Sequence, residues 1–175
     1  MGNGTENDND EQSIRRMEQQ MEYELSIKLA RIEAESYIKA YYKQGMEIKD
    51  LFEHIWHAST TILPNLEVQV VIDSNDAIHI STGSSGYVDF TINPIGMKLP
   101  IKCWIHTHPF GAAYFSGTDW KTVNTWLLLM ETAYVLGGIN HHGYWQQSKP
   151  YELEIINGDD ITIQNQIFSQ GDEQE

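Results

Sequence analysis

The spacing of apolar residues changes near Pro64, and that change limits the folds open to this chain. Before Pro64 apolar residues recur at intervals near four, and after it at intervals of two, so helices precede a sheet. Residues 11–44 are strong helix formers with no Pro or Gly before Gly45, where a C-terminal cap fits. They predict one long helical arm, 11–45. Its Ile14, Met17, Met21, Leu25, Leu29 and Ile32 step by three or four, with Arg15, Arg16, Glu18, Glu22, Lys28 and Glu33 between them. That stripe suits a helix lying on the domain or partly free, or a seam for self-association. A second helix is expected over 46–58, with Ile48, Leu51, Phe52, Ile55 and Trp56 on one face. Glu53, His54 and His57 then face away, and with no third ligand nearby the two histidines read as surface residues. Residues 1–10 and 169–175 are too polar to bury anything and are expected as disordered acidic tails.

Beyond Pro64, residues 66–73, 77–81, 86–92 and 101–106 read as strands. A helix is expected from Ser116 or Gly117 to about residue 131, with Trp120, Val123, Leu127 and Met130 on one face. Strands over 134–139, 143–146, 151–156 and 161–167 follow, the last two joined by an Asn157-Gly158 turn. This order predicts an α/β sandwich built on one main mixed sheet.

Charge and cysteine content exclude several functions. With 11 Lys+Arg against 25 Asp+Glu, the net charge is −14, and no basic cluster exists to grip nucleic acid or an anionic membrane. Cys103 is the single cysteine, so neither a disulfide scaffold nor a thiolate-rich zinc site is available, and a reducing, cytoplasmic setting is expected. No apolar run approaches the roughly 18 residues of a membrane span, and the polar, acidic start does not read as a signal peptide.

The chemistry concentrates in Ile105 to Trp120, IHTHPFGAAYFSGTDW. Alternate strand residues share a face, so His106 and His108 can offer two imidazoles to one ion, and Asp119 can add a carboxylate. Two neutral histidines and a carboxylate suit Zn²⁺ with a fourth position left for water. Ser116 lies one turn before Asp119 and can aim its hydroxyl at the same place. Each piece has an ordinary explanation: surface histidines at a strand end, and a capping pair at a helix start. Together, His106-x-His108-Pro109-x6-Ser116-x-x-Asp119 is five identities at fixed spacing, a chance event at about one in a few million positions.

At these residues the chain resembles the JAMM (MPN+) metalloproteases, whose pattern is a Glu, then His-[Ser/Thr]-His-Pro, then Ser-x-x-Asp. The resemblance covers residues 46–168, including Leu66-Glu67-Val68 to Asp73 as the Glu-bearing strand and Asn93 to Lys98 before the histidine strand. It implies a cytidine-deaminase-like MPN sandwich, a curved mixed sheet flanked by helices, with the long N-terminal helix outside it. It implies that His106, His108 and Asp119 ligate Zn²⁺, that Ser116 holds the oxyanion, and that an upstream Glu shuttles the proton to the leaving amine. Glu67, which starts a strand, fits that role better than Glu53 on an exposed helix face, although the span from Glu67 to His106 is short for the family.

The remaining residues divide as follows. Cys103 is expected as a buried thiol on the strand face opposite His106, and His141 and His142 as a solvated turn. Trp104, on the His106 face, either walls the site or fills a sheet–helix interface. Phe110, Tyr114 and Phe115 either line a groove for an extended peptide or anchor their loop.

The expected function is a zinc isopeptidase or peptidase acting at the C-terminal tail of a ubiquitin-like or sulfur-carrier protein. The alternatives are a JAMM peptidase of a phage or viral assembly, tethered through 11–45, and a non-catalytic MPN scaffold binding partners through that arm. A zinc cytidine deaminase needs Pro-Cys-x-x-Cys and is excluded by the single cysteine.

Overall fold

The computed structural model describes residues 4–83, 96–126, 128–138, 144–149, 152–156 and 166–167. Helix α1 spans Gly4–Tyr41, 38 residues. It therefore reaches back into the segment expected to be a disordered tail. At the other end the helix stops before Gly45, which has φ 79° and serves the turn closed by Met46 N–H donating to the Lys43 carbonyl.

Helix α2 (Ile48–His57) buries Leu51, Phe52, Ile55 and Trp56, as the i, i+3, i+4 spacing requires. It runs into a single π-helical turn over Ala58–Ile62, in which Ala58 and Ser59 are buried. Strands β1 (Val68–Ile72) and β2 (Ile78–Thr82) form an antiparallel pair. Strand β3 (Ile101–His108) extends past His106 to include both histidines of the motif.

Helix α3 covers only Gly117–Thr125. The expected continuation to residue 131 does not form, because Met130 already belongs to strand β4 (Met130–Gly137) and pairs with Ile101. Since β3 and β4 are parallel neighbours, α3 is their crossover and must end early enough for the chain to return to the start of the sheet. Strands β5 (Tyr144–Lys149), β6 (Glu152–Ile156) and β7 (Gln166–Ile167) complete the order β2-β1-β3-β4-β5-β6-β7. The expected strand at 86–92, the Asn157-Gly158 turn, and His141 and His142 lie outside the described residues.

The fold is thus a mixed sheet with helices on both faces and a long N-terminal helix. On one face Val68, Val70, Cys103, Ile105 and Leu136 pack against Leu51 and Ile55 of α2 and Ala34 and Ile38 of α1. On the other, Val71, Trp104, Ala133 and Val135 pack against Val123 of α3 and Phe115. Cys103 is buried on the α1/α2 face, as expected, and burial pushes its thiol up to about 12. Among the described residues, no helix is long and apolar enough to cross a membrane.

Candidate metal centre

The centre sits where β3 ends and α3 begins. The pleat sends Trp104, His106 and His108 to the α3 face, and Ser116 caps α3 so that Asp119, in its first turn, points back at the strand. Ser116 and Asp119 form a reciprocal capping box. Asp119 N–H donates to Ser116 Oγ at 3.2 Å, and Ser116 N–H donates to Asp119 Oδ2 at 2.8 Å. The capping reading and the ligand reading therefore hold together, since the cap is what fixes the direction of the carboxylate.

His106 Nε2 lies 3.1 Å from Asp119 Oδ1, and His108 Nε2 lies 3.3 Å from Asp119 Oδ2. One ligand atom from each of the three side chains lies within 4.8 Å of the others, so the triad can hold a metal ion. His106 is 4% exposed and Asp119 8%. Both ring nitrogens of His106 are buried: the Tyr134 backbone carbonyl meets the ring, and Nε2 faces the Asp119 carboxylate without a well-aligned hydrogen bond. A cation between the two Nε2 atoms and the carboxylate would satisfy His106 Nε2, while the Tyr134 carbonyl serves the other ring nitrogen.

Electrostatics act in opposite directions on the two rings. Burial lowers the pKa of His106, only partly offset by Asp119, and so keeps its imidazole neutral, the form that ligates metal. Burial also acts downward on His108. The Asp119 carboxylate, the Glu67 charge and the Ala112 backbone carbonyl together reverse it, leaving a raised pKa. For Asp119, burial acts upward, but the two histidines and the Ser116 N–H more than reverse it and hold the carboxyl ionised.

The surrounding residues fix these rings. Trp104 stacks on His106 with ring centroids 4.3 Å apart and planes 11° apart, while also belonging to the sheet–helix core. It does both things proposed for it. Phe115 is buried and meets His106 edge-on, whereas Tyr114, half-exposed, meets His108 edge-on at 5.4 Å. Phe110, in the loop that follows His108, is 73% exposed.

Glu67 immediately precedes β1 and is half-buried, with its charge bearing on His108. Glu53 is exposed on α2, which packs on the opposite face of the sheet. Of the two candidate bases, only Glu67 is close enough to this centre to influence it. The other histidine pair is remote: His54 Nδ1 contacts the Asp50 carbonyl at 2.6 Å, and both His54 and His57 pack against Tyr37 of α1.

Three supporting residues escaped the sequence reading. Gln69 is paired in register with His106 and is 4% exposed, with a buried Oε1 that has no hydrogen-bond partner. Its signal was a lone polar residue inside the apolar run Val68 to Ile72. Thr107, between the histidines, is fully buried and joins Ser59 to Val68 by hydrogen bonds. Gly137, half of a Gly-Gly pair, lies directly under the loop that follows His108: a Cβ there would fall 2.3 Å from Ala113 N and 2.4 Å from Ala112 C.

Compared with known proteins, the chain matches no family model, no curated protein and no solved structure.

Proposed function

We propose that His106, His108 and Asp119 hold Zn²⁺ and that the chain is a metalloprotease of the JAMM type on an MPN fold, cleaving an amide bond. The observation that carries this reading is the convergence of the three side chains, with Nε2 of both histidines turned to the Asp119 carboxylate. Zinc, when bound, supplies a Lewis acid that polarises a carbonyl and acidifies water. The half-buried Glu67 accepts the proton from the attacking water and delivers it to the departing amine as the C–N bond breaks. Ser116 Oγ accepts from Asp119 N–H, which leaves its own O–H proton free to donate to the oxyanion. Phe110 and Tyr114 offer exposed aromatic surface to an extended chain, and the substrate is the C-terminal tail of a ubiquitin-like or sulfur-carrier protein. The enzyme acts in a reducing, cytoplasmic setting, consistent with its one buried thiol.

Metal analysis of purified wild type and His108→Ala, paired with cleavage of a panel of ubiquitin-like fusions, tests this. The expectation is about one zinc per wild-type chain and little in the variant. Equal zinc content in both would remove the centre, and inactivity of zinc-loaded wild type on every fusion would remove the proposed substrate class.

A further inference from the structure

Helix α1 carries two apolar faces. Ala34 and Ile38 are fully buried against the domain, whereas Ile14, Met17, Met21, Leu25, Leu29 and Ile32 are each between 55% and 67% exposed. At 100° per residue these sets fall on opposite sides of the helix, so docking the arm on its own domain cannot cover the outer stripe. From Ile14 to Ile32 the stripe takes steps of three, four, four, four and three residues. Eighteen residues in five turns is the pitch of a straight α-helix, so the stripe stays on one side along about 27 Å.

We propose that a second copy of this chain docks on that stripe, antiparallel, about a two-fold axis at Tyr23. The steps read the same in both directions. An antiparallel copy therefore sets Ile14 against Ile32, Met17 against Leu29, and Met21 against Leu25, filling the seam without a gap. Charge bears on both the occupant and the orientation. Residues 11–36 hold six acidic and four basic side chains, nearly balanced in a chain of net charge −14. A strongly basic partner finds little to pair with there, whereas a second arm places Arg15 beside the partner's Glu33, twice by symmetry, against which stand the Glu22 and Glu24 carboxylates of the two arms, level with each other at the centre. The acidic bodies, docked near residue 36 of each arm, then lie about 40 Å apart along the axis, several Debye lengths at physiological salt. A parallel pair sets them side by side. The inference does not rest on the metal centre, which occupies the other face of the sheet.

Sedimentation of the full chain tests it. Wild type is expected near 40 kDa, twice the 20.1 kDa of one chain, and the double variant Met21→Asp/Leu25→Asp near the single-chain mass. Both substituted residues are exposed within one chain, so near-UV circular dichroism of the variant should match wild type. Orientation is read by oxidation. Ile14→Cys mixed with Ile32→Cys should form a disulfide-linked pair, and Ile14→Cys alone should not, because its two copies lie about 27 Å apart. A wild type that sediments as one chain at every concentration, or a dimer that survives the paired aspartates, overturns the proposal. Efficient self-linking of Ile14→Cys overturns its antiparallel register.

Discussion

Val68 donates its backbone N–H to Thr107 Oγ1 at 2.9 Å, tying the residue after Glu67 to the residue between His106 and His108. The bond is one link of a closed chain. Ser59 Oγ spends its proton on the Leu66 carbonyl at 2.6 Å, so at its 2.8 Å contact with Thr107 it accepts from the Thr107 hydroxyl. The Leu66 carbonyl, both hydroxyls and the Val68 N–H are all paired in this relay, and together they fix the entry to β1 against the end of β3. Thr107→Val keeps the shape but orphans the Val68 N–H and one Ser59 lone pair. It should cost about 1–3 kcal/mol of stability. Because no ligand is touched, zinc content should hold while turnover falls as Glu67 loses its placement. Calorimetry, metal analysis and cleavage on the same protein check this, and parallel loss of zinc and turnover would refute the positioning role.

The two candidate bases separate cleanly by substitution. Glu67→Gln keeps volume and removes the charge that raises the His108 pKa. It should lower turnover by about 100-fold or more, the usual contribution of a general base, with zinc retained. Glu53→Gln, on the far side of the sheet, should leave turnover within about twofold. A zinc-loaded Glu67→Gln protein that cleaves at the wild-type rate would end this assignment.

Gly137 governs the other side of the centre. Gly138 N–H donates to the Gly111 carbonyl at 3.0 Å, and the 111–113 backbone lies where a Cβ of residue 137 would be. Those neighbours are backbone atoms, so Gly137→Ala must push the loop away, at about 1–3 kcal/mol for overpacking. The displaced Ala112 carbonyl no longer accepts from the His108 ring, a contact of the kind whose loss typically weakens metal affinity 10- to 100-fold. Zinc titration of Gly137→Ala against wild type should show that weakening, and unchanged affinity would show that the loop does not orient His108.

How much of this was legible beforehand follows from how local each signal is. The strand carrying His106 and His108, the cap that aims Asp119 and the buried Cys103 all followed from spacing within a few residues. The length of α3 did not, because its end is set by the parallel pairing of Met130 with Ile101, a contact between distant parts of the chain. Gln69, Thr107 and Gly137 act only through neighbours that the sheet register supplies.

Asp73 gives the fold an acid-sensitive joint. It is fully buried at the end of β1, with Oδ1 accepting from the N–H groups of Asn75 and Ala77 at 2.8 and 3.0 Å. Its Oδ2 accepts from Lys98 N–H at 3.2 Å and faces His79 Nε2 at 3.1 Å, which ties the β1–β2 turn to the segment leading into β3. Burial alone raises an acid's pKa, but here the His79 side chain and the three backbone donors more than reverse it, and the pKa is lowered. A group whose folded pKa lies below its unfolded value, about 3.9 for Asp, contributes stability that is fully present above that value. The contribution is lost as pH falls through the lower, folded pKa. Asp73→Asn cannot titrate, and its amide turns a donor toward groups that need an acceptor. It should therefore be less stable than wild type at pH 7, by about 1–3 kcal/mol, and the gap should narrow progressively below pH 4. Denaturant unfolding of both proteins from pH 7 to pH 3 measures that gap directly, and a gap that stays constant would show that the Asp73 carboxylate is not the titrating element of this joint.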